Sequence, residues 1–157
     1  MQDHQGKKPA RILVLEDNET ARFVFRAVLE PAGYAIVDVK DEAEALHIFE
    51  SADERFDLLI ADVVLRARYG AVTAKRIAEM RPDMPILFTS GFPIATLLNR
   101  GLMAPDQLPS RKTAFLEKPF RAEQLLDKVR ELIELCSRLR FRASYPTPRL
   151  TACLATA

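Results

Sequence analysis

Residues 12–25 read ILVLEDNETARFVF: four apolar residues, Ile12 to Leu15, followed at once by two acids, Glu16 and Asp17. A run this short suits a strand covered on both faces, and its acidic end poses a question about what the paired carboxylates are for. The answer depends on what the rest of the chain brings beside them.

Four more short apolar runs follow, Tyr34 to Val39, Phe56 to Ala61, Ile86 to Thr89 and Thr113 to Leu116. Helical patterns separate them. Ala21, Val24, Phe25, Val28 and Leu29 recur at helical spacing until Pro31-Ala32-Gly33 stops them. Asp41 with Glu44 three residues on has the form of a cap opening a helix through Phe49. A third helical pattern runs from Ala71 to Met80 and is halted by Arg81-Pro82. The longest begins near Arg121, with Ala122, Leu125, Leu126, Val129, Leu132, Ile133, Cys136 and Leu139 on one stripe. Alternating strands and helices predict an α/β domain with a doubly wound, five-stranded parallel sheet. The domain is expected over residues 10–136, after a flexible stretch 1–9 and before a helix extension with a disordered basic tail over 137–157.

Composition agrees with one globular domain, since 157 residues with 48% hydrophobic content suffice for a real core. The formal net charge is +1, so no overall field favours nucleic acid or a membrane surface. The charge is unevenly spread, because no acid follows Glu134 whereas Arg138, Arg140, Arg142 and Arg149 do. That tail is too short for a helix-turn-helix and offers no separate recognition helix, so no nucleic-acid partner is expected. No stretch approaches the roughly 20 apolar residues of a membrane span and the N-terminus has no signal-like apolar region, which points to a cytoplasmic protein. Cys136 and Cys153 lack any metal-binding or disulfide pattern.

In open α/β sheets, ligands bind beyond the carboxyl ends of the strands, so the strand ends decide function. Here they carry Glu16-Asp17, Asp62, Thr89-Ser90 and Glu117-Lys118-Pro119. Three crowded acids repel one another unless a cation neutralises them, and an all-oxygen set suits a hard divalent ion such as Mg²⁺. Beside such an ion a carboxylate can act as nucleophile toward phosphorus. Asp62, at the tip of the central run FDLLIAD, is assigned that role. Asp17 with Glu16 would hold the metal, Lys118 a phosphoryl oxygen, and Thr89, with Ser90 beside it, would donate a hydrogen bond. As a strand-end acid, Asp62 is expected to be exposed. Taken alone, Asp17 or Asn18 also suits the N-cap of the first helix.

The motifs LVLEDN, DLLIADV, ILFTSGF and FLEKPF, in this order and at this spacing, resemble the receiver domain of two-component response regulators over roughly residues 10 to 136. The TSGF form is similar to receivers attached to, or working with, hybrid histidine kinases. The resemblance implies the flavodoxin-like receiver fold and phosphoryl transfer to Asp62 from a phosphohistidine on a sensor histidine kinase or histidine phosphotransfer protein. It implies Mg²⁺ held by Asp17, Asp62 and the backbone carbonyl of Val64. It also implies a switch in which the Thr89 hydroxyl moves toward the phosphoryl group and the aromatic Phe115 swings inward. Phe115 lacks a hydroxyl to keep it at the surface, so an inward position without phosphate is expected. Output, and a homodimer, would use the face of the fourth helix, fifth strand and fifth helix. Such a domain is not an enzyme beyond its own phosphoryl transfer and dephosphorylation, and Val64, with no polar group to position water, favours slow loss.

Two departures stand out. Leu65-Arg66 replaces the Met-Pro common in receivers, which removes a fixed φ and places Arg66 and Arg68 near a pocket for anions. The segment from Gly91 to Lys112 is helix-poor, with Pro93, Gly101, Pro105 and Pro109 leaving only Ile94 to Arg100 for a short or mobile fourth helix. Two other readings stay open: a pseudo-receiver acting as a phosphorylation-independent interaction module, and a flavodoxin-like enzyme or flavin carrier. The acidic, glycine-free turn Glu16-Asp17-Asn18-Glu19 argues against the last, because a phosphate-cradling loop needs free amides and glycine.

Overall fold

The computed structural model describes residues 8–50, 55–66, 69–107 and 111–144, the last six as backbone alone. Most of the expected flexible stretch 1–9 and the tail beyond Ser144 therefore lie outside the described residues, as does Arg68. The strands are β1 (Arg11–Leu15), β2 (Ala35–Val39), β3 (Leu58–Asp62), β4 (Ile86–Ser90) and β5 (Thr113–Glu117). The helices are α1 (Glu19–Leu29), α2 (Glu42–Glu50), α3 (Gly70–Met80), α4 (Ile94–Asn99) and α5 (Ala122–Ser144). All strands pair in parallel in the order β2-β1-β3-β4-β5, which is the predicted doubly wound sheet.

Period-two alternation along the strands divides the core between the two sheet faces. Ile12, Val14, Leu58, Ile60 and Leu87 pack with Phe25 and Leu29 of α1 and with Leu125, Val129 and Leu132 of α5. Leu13, Leu15, Leu59, Ala61 and Phe88 pack on the opposite face with α2, α3 and α4. Both faces of the central strands are thus dry, which is why they read as unbroken apolar runs, and each fully buried Leu or Ile contributes about 1.5–3 kcal/mol.

Local chemistry fixes the helix starts. Asn18 caps α1, its Oδ1 accepting from the Ala21 amide at 3.0 Å, so Asp17 is not needed as a cap. Asp41 accepts from the Glu44 amide at 2.9 Å, the cap the sequence suggested, while the Glu44 side chain reaches one residue further back and accepts from the Lys40 amide at 3.0 Å. The fourth helix is short, six residues, and a 3₁₀ turn over Pro105–Gln107 follows it. This turn is tied to α3, since the Gln107 side chain donates to the Ala71 carbonyl at 2.6 Å. Among the described residues no helix is long and apolar enough to cross a membrane.

Candidate functional site

The chain leaves β1 toward β2 on one side and returns to β3 on the other, so the switch point of the sheet lies between β1 and β3. Asp17 and Asp62 stand at the ends of these two strands. Beyond them opens a cavity of about 720 Å³ lined by Glu16, Asp17, Asp62, Val64, Arg66 and Lys118, among others.

Register explains the convergence. Asp62 is paired with Thr89 across β3 and β4, and the Lys118 amide donates to the Ser90 carbonyl at 2.8 Å. Parallel pairing therefore carries an acid, a hydroxyl and a lysine, far apart in sequence, to one edge. At the other side, Glu16 continues the β1 ladder through its amide to the Val39 carbonyl at 3.0 Å, and the Arg22 guanidinium donates to the Glu16 carbonyl at 2.8 Å. Arg22 also pairs with Asp38 at 3.1 Å, as does Arg26. The acidic turn is thereby fastened from α1, a role that no pattern in the sequence marks.

The ammonium of Lys118 bridges two carboxylates, Glu16 Oε2 at 2.6 Å and Asp62 Oδ2 at 2.7 Å. Crowded acids call for a neutralising cation, and in Lys118 the chain supplies one of its own. Asp62 is also only 8% exposed, not the open strand-end acid expected, because Lys118 closes over it and its Oδ1 accepts from the Val64 amide at 2.9 Å. Glu16, expected beside Asp17 as a metal ligand, is 1% exposed, and its second oxygen accepts from the Asn18 amide at 3.1 Å. Its carboxylate faces Lys118 and the turn, whereas Asp17 keeps access to the cavity. Burial pushes the Glu16 carboxyl above its usual range, against the opposing pull of the Lys118 hydrogen bond. Burial alone would lower the Lys118 ammonium, but the bonds to Asp62 and Glu16 outweigh it and hold it above its ordinary value.

Thr89 is fully buried and its Oγ1 has no hydrogen-bond partner among the described residues. Ser90 is spent on structure, its hydroxyl accepting from the Phe92 amide at 3.1 Å in the turn after β4. Phe115 is half-buried and packs against the core of the α2, α3 and α4 side. Val64 lines the cavity and forms an antiparallel bridge with Tyr69, which closes the β3–α3 turn. Behind this turn Gly70 lies so close to Asp62 that a Cβ on it would overlap the Asp62 carbonyl oxygen. Neither Arg22 nor Gly70 was singled out from the sequence; the lone glycine eight residues after Asp62 was the available signal for the second.

Among the described residues no three His, Cys, Asp or Glu side chains form a metal cage. Mg²⁺ does not require one, because it keeps several waters and takes one or two carboxylates. Asp17 and Asp62, hard oxygen donors lining one cavity, fit such an ion.

The fold and this acid-lined pocket define a doubly wound α/β domain with a charged site at the carboxyl edge of its sheet, and comparison with known proteins gives it a family. The model of the response regulator receiver domain matches residues 12–130. The chain belongs to that family, the receiver domains of two-component signalling. It is 35% identical over 124 residues to the response regulator receiver protein CpdR of Brucella abortus (strain 2308), covering 78% of this chain and 96% of CpdR. It is 30% identical over 125 residues to the sensor kinase CckA of the same organism, over 80% of this chain and 13% of the kinase. A response regulator receiver protein from Sinorhizobium medicae WSM419 superposes with a TM-score of 0.68 at 26% identity, over 82% of this chain and 98% of that one. The receiver domain of the hybrid histidine kinase CckA does so at 0.62 and 28%, over 78% and 99%.

Proposed function

We propose that Asp62 accepts a phosphoryl group from a phosphohistidine on a sensor histidine kinase or histidine phosphotransfer protein, and that the chain signals onward through protein contacts. The observation that carries this reading is the place of Asp62, 2.7 Å from the Lys118 ammonium and in register with Thr89, whose buried hydroxyl is unpartnered among the described residues. A phosphoryl group on Asp62 brings acceptor oxygens to both donors, and charge-assisted bonds of this kind are the strong ones. In the transfer the Asp62 carboxylate forms a P–O bond as the P–N bond breaks. The imidazole leaves with the bonding pair, neutral where its other nitrogen carries the proton.

Asp17, Asp62 and the Val64 backbone carbonyl would hold Mg²⁺, which when bound offsets the charge of the carboxylates and of the transferring oxygens. Glu16 then serves to orient Lys118. Likeness to the sensor kinase CckA supports a histidine kinase as the partner. Output or homodimer formation through the α4, β5 and α5 face, a cytoplasmic setting and slow self-dephosphorylation belong to the same reading.

Intact-mass spectrometry after incubation with acetyl phosphate, with and without Mg²⁺, tests it on the wild type and Asp62→Asn. A single adduct that needs both Mg²⁺ and Asp62 is expected. Equal labelling of Asp62→Asn would sink the assignment, and no adduct in a folded wild type would favour the phosphorylation-independent interaction module.

A further inference from the structure

Three carboxylates stand at the mouth of the sheet, yet Lys118 reaches only two of them. The third, Asp17, is engaged among the described residues by Arg66 alone. The Arg66 amide donates to Asp17 Oδ2 at 2.7 Å, and its Nε lies 3.8 Å from the same oxygen. A proline at this position would supply neither the N–H nor the charge. Leu65-Arg66 thus joins the β3–α3 turn to the end of β1.

We propose that Arg66 is a positioning residue that lowers the affinity of Asp17 for a divalent cation, acting as a resident counter-charge at the rim; this rests on the metal reading above. Lys118 already bonds Glu16 and Asp62, so among the described residues Arg66 is the cation that faces Asp17. Removing the guanidinium leaves Asp17 uncompensated and strengthens its pull on a cation. A place exists for the displaced side chain. Arg66 also lines a neighbouring cavity of about 650 Å³ together with Lys40, Asp41, Glu42 and Arg76. The two cavities share Asp17, Leu65 and Arg66 as their common wall.

The size of the effect follows from exposure. The Arg66 side chain is 85% exposed, so the pair is screened and worth what surface pairs are worth, a change of about two- to five-fold in Kd. The same exposure means that Arg66 variants keep the fold.

Isothermal titration with MgCl₂ on the unphosphorylated wild type, Arg66→Ala and Arg66→Lys tests this without any readout of phosphorylation. At low ionic strength Arg66→Ala is expected to bind about two- to five-fold more tightly, Arg66→Lys to stay near the wild type, and the gap to close in high salt. Unchanged affinity in Arg66→Ala overturns the proposal. So does an equal gain in Arg66→Lys, which would trace the effect to shape and not to charge. A folded wild type that binds no Mg²⁺ overturns the metal reading and this proposal with it, an outcome distinguishable because the wild type itself is silent.

Discussion

Lys118 faces its acids from the inner wall of the pocket, one quarter exposed, while Arg66 faces Asp17 from the outer rim almost wholly in solvent. Both are cations beside carboxylates, and both pairs are fixed by residues far apart in sequence. They differ in dielectric. Two unit charges at contact distance interact several times more strongly in a partly dry wall than in water, and the sealed Glu16 cannot turn to solvent when its partner is lost. The rim pair has water as a ready substitute. A charge count of the pocket would weigh these residues equally, and burial shows why that is wrong.

The largest test of this contrast is Lys118→Met. Leaving Glu16 and Asp62 buried beside each other without their cation is expected to lower stability by about 3 kcal/mol in urea unfolding without metal, along with loss of the acetyl phosphate adduct. A loss below about 0.5 kcal/mol would mean that the inner wall is as well screened as the rim.

The next test sets two hydroxyls against each other. Thr73 on α3 and Thr89 on β4 are both fully buried, and neither Oγ1 has a partner among the described residues. Replacing each by Val removes an unpaired polar atom at nearly constant shape, and both variants are expected to gain about 1 kcal/mol in the unphosphorylated protein. Only Thr89→Val should then lose stabilisation on phosphorylation, read as the shift in Tm between labelled and unlabelled protein. Equal behaviour of the two after labelling would remove Thr89 from the site.

The smallest expected effect is at the rim. Arg66→Glu reverses a charge next to Asp17, yet in metal-free urea unfolding it should change stability by less than about 0.5 kcal/mol, since its partner is free to hydrate. A loss comparable with that of Lys118→Met would erase the distinction between wall and rim.

The sheet, and the meeting of its strand-end side chains at one edge, were legible because they depend on one-dimensional patterns. Four of the five apolar runs end in chemically distinctive residues, and parallel pairing alone is enough to bring Asp17, Asp62, Thr89 and Lys118 to one edge. What stayed hidden depends on rotamers and on close approach. Nothing in LEDN says that Asn18 and not Asp17 caps α1, or that Glu16 turns toward Lys118. Nothing in the spacing of Arg22 shows that it clasps the carbonyl of Glu16. The Leu65-Arg66 departure was visible as a missing proline, but the bond it permits, a backbone amide to Asp17, appears only once the β3–α3 turn is folded back on β1.

Gly70 gives position 70 an unusual genetic standing. Its α-carbon sits against the Asp62 carbonyl oxygen with no room for a Cβ, and its amide donates to the Val63 carbonyl at 3.0 Å. Every other amino acid brings that Cβ, so no missense change at this codon is conservative. Even alanine, the mildest replacement elsewhere on a helix, would here have to push on the backbone of Asp62. Variation at position 70 is thus read out as variation in the placement of Asp62.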